Sequence, residues 1–159
     1  MMQDRRFRPN VAALVRIGDS FLSCRRTQPA HVWQTVQGGI ESSDTDVRSA
    51  LLRELREELG VDSNDVKVVA QSSVWRRYLF PAEVKNLNSK RSYIGQEQLW
   101  FLVELPSMDC IRLQQSEGEF SEVQLVELQT LIAQMVLWKL PVVKDFCYEA
   151  GLMSPVHRS

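Results

Sequence analysis

The sequence predicts an α/β sandwich, and three features of the chain point there. Short apolar runs of strand character, of which Leu99–Leu105 (LWFLVEL) is the strongest, alternate with helical patterns. A leucine-striped helix lies between the cap residues at 42–45 and Gly60. Near the C-terminus Leu128–Leu140 repeats an apolar face, and Pro141 can open a final helix through Ala150. A chain of 159 residues suits one domain, expected over residues 1–153 with a frayed tail at 154–159.

In chain order, Val11–Ile17 is a mostly apolar run. Gly18-Asp19-Ser20 turns it into Phe21–Cys24, which suggests a hairpin. Gln28-Pro29-Ala30 reads as loop. Trp33–Gln37 is a short strand leading into the glycine pair Gly38-Gly39, and Ser42-Ser43-Asp44-Thr45 offers N-cap residues for the central helix. Beyond Asp62–Asp65, Val66–Ala70 and Val74–Leu79 are extended. The polar stretch 81–92 is a loop, Pro106 ends the strong strand, and Phe120–Val126 alternates as another strand.

Composition narrows the function. Hydrophobic residues at 44% supply a core, and a net charge of −1 argues against a surface that holds nucleic acid through bulk electrostatics while leaving a local basic patch open. Cys24, Cys110 and Cys147 are widely spaced, with no CxxC or zinc spacing, as expected of reduced thiols. The start MMQDRRFRPN has no secretory apolar segment, and no apolar run approaches the ~18 residues of a membrane span. The expectation is a cytoplasmic protein without a membrane partner.

The central helix carries the chemistry. At about 100° per residue, Glu57, Glu54 and Glu58 lie about 40°, 100° and 140° from Arg53, and Leu51, Leu55, Leu59 and Leu52 about 160° to 260°. One side is thus a leucine stripe for the core, and the other gathers three carboxylates beside an arginine. Like charges at this spacing weaken a helix. Periodicity alone leaves two readings, a solvated acidic face or a hard-oxygen cluster suited to Mg²⁺ or Mn²⁺. The glycine pair, which lets backbone pass close to the acids, favours the second, as does Arg53 one turn from Glu57.

The order Gly39, Arg53-Glu54-Leu55, Glu57-Glu58, Gly60-Val61 resembles the signature of the Nudix hydrolases, REUxEExGU with U aliphatic, at every defined position. The upstream glutamate of that signature is replaced by Thr45, flanked by Asp44 and Asp46, either of which can support Arg53 in its place. Outside the box, Arg8-Pro9-Asn10, Arg25-Arg26, Trp33-Gln34, Gln37-Gly38-Gly39, Trp75-Arg76-Arg77-Tyr78, Gly95-Gln96, Gln98, Trp100-Phe101 and Glu119-Phe120 follow the order of bacterial RNA pyrophosphohydrolases. Those enzymes are kin of the asymmetrical dinucleoside polyphosphate hydrolases. Departures are Thr35-Val36, where relatives often carry Phe-Pro, and Leu99, where many carry lysine; both bear on substrate preference.

The resemblance implies a Nudix α/β/α sandwich with a mixed sheet and a metal-dependent pyrophosphohydrolase. Its expected substrate is the 5′-triphosphate or diphosphate end of RNA, left as a 5′-monophosphate. The alternatives are hydrolysis of a dinucleoside polyphosphate such as diadenosine tetraphosphate, or a non-catalytic nucleotide-binding module. By resemblance, Glu54, Glu57, Glu58, Glu119 and the carbonyl of Gly38 bind Mg²⁺ or Mn²⁺, with more than one ion expected. Glu57 is the first candidate for the base and Glu119 the second, with Arg53 holding the acids in place. Arg8, Arg26, Arg76 and Arg77 are candidates for phosphate contacts, and Gln34, Gln37, Tyr78 and Gln96 for further substrate contacts. Trp138-Lys139 corresponds to an aromatic–lysine pair beside the 5′ base. Read without the resemblance, Trp138 is a core residue of an amphipathic helix, Glu119 is a solvated loop acid, and Arg76 and Arg77 are surface charges. His31 and His157 have no partner pattern that suggests catalysis.

Overall fold

In the computed structural model, which describes residues 4–85 and 93–154, the hairpin forms the middle of one eight-stranded sheet. Strands β1 (Phe7–Ile17) and β2 (Ser20–Arg26) are antiparallel across a turn in which Gly18 takes a positive φ of 60°. The predicted strand at Trp33–Gln37 is two strands. β3 (Trp33–Gln34) pairs with β2, and β4 (Val36–Gly39) pairs with β1, so the chain crosses between neighbours at Thr35. Thr35 and Val36 are both buried.

Helix α1 (Val47–Leu59) starts at Asp46, whose carboxylate accepts from the Ser49 amide, and ends at Gly60 in the left-handed conformation. A short turn at Ser63–Asp65 leads to β5 (Lys67–Gln71), β6 (Arg76–Leu79) and the single turn α2 (Ala82–Lys85). The predicted loop at 81–92 thus opens on a helical turn, and residues 86–92 lie outside the described residues. Strand β7 (Gly95–Glu104) is longer than Leu99–Leu105 predicts. It runs parallel to β1 along its whole length and antiparallel to β5 and β6. Strand β8 (Phe120–Val126) closes against β2. The sheet is therefore mixed.

Alternation along β1 distributes the core over both faces of the sheet. Val11, Ala13 and Val15 pack with Leu51, Leu55 and Leu59 of α1, together with Leu99, Phe101 and Val103 of β7. On the opposite face Ala12 and Leu14 pack with Trp100, Leu102 and the C-terminal helices. This is an α/β/α sandwich. Leu99 sits in the α1-side core, where an alkyl chain is satisfied and a lysine ammonium would be desolvated.

The helix predicted over Leu128–Leu140 is interrupted. α3 (Leu128–Gln134) stops before Met135 and Val136, which are extended; a tight turn follows at Leu137–Lys139, and α4 (Leu140–Glu149) then begins with Pro141 in its first turn. Proline removes an amide donor and crowds the carbonyl one turn back, so a continuous helix through 141 is disfavoured and a new start is tolerated. The break carries Trp138 and Lys139 out of the helical register, and Lys139 reaches Gln37 of β4. All three cysteines are buried free thiols. Ser154 is exposed, and the rest of the predicted tail, 155–159, lies outside the described residues. No described helix is long and apolar enough to cross a membrane.

Candidate active site

A cavity of about 580 Å³ opens where β1, β4 and β7 face the loop after β2 and the Met135–Lys139 segment. Of the residues singled out from sequence, Arg8, Arg26, Gln34, Gln37, Gly38, Glu54, Glu57, Tyr78, Gln96, Glu119, Trp138 and Lys139 line it. Glu58 lies just beneath, 1% exposed, with Oε1 accepting from the Gln37 amide at 3.0 Å. Sequence reasoning did not single out Asn10, Phe80, Met135 or Val136 as site residues, although they share this wall. Phe80, just after β6, and Met135 and Val136, in the helix break, are apolar and carry no local signal of facing a ligand, and nothing local sets Asn10 apart from other strand residues.

Two predicted phosphate contacts are not brought to the cavity. Arg76 donates to Glu149 on α4 at 2.8 Å. Arg77 donates to Glu97 at 3.2 Å and covers the Phe7 ring at 4.7 Å. Neither lines the cavity: strand alternation turns Arg77 to the face opposite Tyr78, and Arg76, on the same face as Tyr78, is held by Glu149. The reading of Trp138 as a core residue also fails: it is 36% exposed at the cavity mouth. His31 is exposed and does not line the cavity; His157 lies outside the described residues.

Arg53 organises the acids. Its Nε and Nη2 donate to the two oxygens of Asp44 at 3.0 and 2.9 Å, Nη2 also to the Gly39 carbonyl at 2.8 Å, and Nη1 to Glu54 at 2.8 Å and Glu57 at 3.1 Å. Asp44 therefore occupies the supporting role, while Asp46 caps the helix and Thr45 bonds only Ser49. The guanidinium holds the Asp44 carboxyl below its usual range. The flat fork satisfies one acid bidentately and still reaches two more, a geometry an ammonium lacks.

The helical wheel places Glu54, Glu57 and Glu58 opposite the leucines, but Glu54 and Glu58 are buried and Leu52 is only partly so. The acids at about 100° and 140° border the stripe, and β4 closes over that border. At Gly38 a Cβ would occupy the space of the Glu54 carboxylate, so only glycine lets this backbone pass. Burial pushes the Glu54 carboxyl up to about 7. Burial, reinforced by the charges of Glu119 and Glu54, pushes Glu58 up to about 10. Glu119 arrives from the loop before β8, 3.5 Å from Arg26 Nη1. Burial, with Arg26 nearby, lowers Lys139 to about 8, and its Nζ donates to Gln37 at 3.0 Å.

Four acids crowded under partial desolvation, one with the unpartnered buried oxygen Oε2 of Glu58, form a donor set that a divalent cation relieves. No three acidic, histidine or cysteine side chains among the described residues converge as a ready cage for one ion. A hard divalent cation that keeps several waters and binds through one or two carboxylates plus substrate phosphates fits this arrangement.

The family comparison decides between a structural acidic cluster and an enzyme site. The Nudix domain matches residues 6–146. The chain belongs to the Nudix family. It is similar to the RNA pyrophosphohydrolase of a Nitratiruptor species, 34% identical over 148 residues that cover 90% of this chain and 92% of the relative. The RNA pyrophosphohydrolase of Proteus mirabilis is 35% identical over 144 residues, 89% of this chain and 81% of the relative. In fold, this Nudix hydrolase resembles the dihydroneopterin triphosphate pyrophosphohydrolase of E. coli. The TM-score is 0.71 at 16% identity, covering 90% of this chain and 98% of the other. The Ap4A hydrolase of C. elegans in a binary complex gives 0.65 at 16% identity, covering 92% and 99%. Nudix hydrolases use divalent metal ions, in keeping with the acids around Arg53.

Proposed function

We propose that this Nudix hydrolase is a metal-dependent pyrophosphohydrolase that releases pyrophosphate from the 5′-triphosphate end of RNA, or phosphate from a 5′-diphosphate end, leaving a 5′-monophosphate. We further take residues 1–153 as one catalytic domain acting in the cytoplasm. The observation that carries this reading is the composition of the cavity. Its acids, Glu54, Glu57 and Glu119, share one wall with the cations Arg8, Arg26 and Lys139 and an exposed indole, Trp138. Relatives named RNA pyrophosphohydrolase, at 34–35% identity over most of the chain, support the same substrate class.

Glu54, Glu57, Glu58, Glu119 and the Gly38 carbonyl are the groups that would hold Mg²⁺ or Mn²⁺. Bound there, the ions supply charge neutralisation on the phosphate oxygens and a more acidic water. Glu57 is the assigned base. It lines the cavity and is less buried than Glu54 and Glu58, so its oxygens are the ones an attacking water can reach. Arg53, fastened by Asp44, keeps that carboxylate from swinging away. Arg8 and Arg26 donate to the phosphate chain, and Trp138 offers a face on which the first or second base stacks. With a net charge of −1, contact ends within a nucleotide or two, and affinity falls only gently with salt.

The test is the ratio of kcat/KM for a 5′-triphosphorylated oligoribonucleotide and for diadenosine tetraphosphate, under one metal and salt condition. A ratio favouring RNA is expected. A ratio favouring the dinucleotide moves the protein to the dinucleoside polyphosphate hydrolases, with the same acids at work.

A further inference from the structure

Two carboxamides on the cavity wall end in N–H groups that have no partner among the described residues, Nδ2 of Asn10 and Nε2 of Gln34. Asn10 is 1% exposed and Gln34 3%. Neighbours that can only donate decide which way each carboxamide points. The Trp100 indole Nε1 donates to Gln98 Oε1 at 3.1 Å, so Gln98 turns its Nε2 toward Asn10 and donates to Oδ1 at 2.9 Å. Asn10 has to accept there, which leaves its Nδ2 as a surplus donor. Arg26 Nη1 imposes the same polarity on Gln34, donating to Oε1 at 3.3 Å and freeing Nε2. Neither amide can flip without setting donor against donor.

A buried N–H without an acceptor costs free energy that a ligand oxygen recovers. The groups around these amides indicate what kind of oxygen that is. Asn10 lies opposite Gly39 in the β1–β4 register, and the Arg8 guanidinium packs against Gly39. Arg8 makes no ion pair among the described residues. Arg26 and Lys139 complete a wall rich in donors. We infer that Asn10 is a specificity-determining residue whose Nδ2, oriented through Trp100 and Gln98, donates to a phosphate oxygen of the substrate, with Gln34 Nε2 as its counterpart beside Arg26. A phosphate chain only accepts hydrogen bonds, and Asn10 Nδ2, Gln34 Nε2, Arg8, Arg26 and Lys139 offer it donors. A nucleobase edge or a ribose hydroxyl brings donors of its own, which these groups leave unmatched. The inference deepens the proposed reading and rests on it for the identity of the substrate.

Inorganic tripolyphosphate with Mg²⁺ is the probe, and adenosine is the control that carries a base and ribose but no phosphate. In ¹H–¹⁵N spectra of the wild-type chain, the side-chain amide pair of Asn10 is expected to shift on titration with tripolyphosphate and to stay in place with adenosine. Asn10→Asp keeps the oxygen that Gln98 needs and exchanges the donor for a charged acceptor. It is expected to raise the tripolyphosphate Kd by about tenfold or more. An Asn10 pair unmoved at saturating tripolyphosphate, or moved by adenosine alone, overturns the inference, and this needs no variant to fold. A folded Asn10→Asp protein that binds tripolyphosphate like wild type overturns it equally. If RNA ends are not hydrolysed but tripolyphosphate shifts Asn10, the proposed substrate fails while the inference stands. If RNA is hydrolysed and Asn10 is silent, only the inference fails.

Discussion

Glu58→Gln is expected to stabilise the metal-free protein while destroying its activity, and by more at high pH. In the folded chain burial and the neighbouring acids hold the Glu58 proton up to about 10, whereas the unfolded carboxyl releases it near its ordinary value of 4.5. Between those values the folded state binds more protons, so stability falls as pH rises. The loss is about 1.4 kcal/mol per pH unit at most, or about 4 kcal/mol from pH 5.5 to 8.5. Taking half of that, because water and side chains relax around an ionising carboxylate, leaves about 2 kcal/mol. Glutamine does not titrate, and its oxygen still accepts from the Gln37 amide. Its melting temperature should therefore gain on wild type by about 4–8 °C between those pH values in chelator. Scanning calorimetry or fluorescence melts at pH 5.5 and 8.5 measure this. Adding Mg²⁺ should reverse the order, because only wild type keeps the fourth acid for the ion. A gap between the two proteins that is the same at both pH values refutes the reasoning.

Glu57→Gln should lower turnover by orders of magnitude with the melting temperature kept, and excess chelator should silence wild type; steady-state rates and melts check both. Asp44→Ala should cost about 2 kcal/mol of stability and much of the activity, since it strips two charge-assisted hydrogen bonds from Arg53, whereas Thr45→Glu should leave both close to wild type. Trp138→Ala should leave the melting temperature unchanged and weaken kcat/KM on RNA by about 1–3 kcal/mol, which separates a stacking ring from a core one.

Local pattern determined a good deal here. Gly18-Asp19-Ser20 between apolar runs is enough to make the β1–β2 hairpin, and Gly60 to end α1. The spacing of Glu54, Glu57 and Glu58 beside Arg53 marks the acid cluster, because residues three and four apart share a helix face whatever surrounds it. Tertiary structure decided the rest, since those outcomes depend on what packs where. Glu119 joins the site only because β8 pairs with β2 and brings residue 119 alongside Arg26, 93 positions away. Asp44 rather than Asp46 supports Arg53 because Asp46 is already committed to the helix cap. Arg76 and Arg77 leave the site for Glu149 and Glu97, partners brought close by α4 and β7. The sequence alone determined that these acids would sit together. That Glu54 and Glu58 are buried was decided by β4 closing over α1, and burial is what makes their charges costly enough to need a cation.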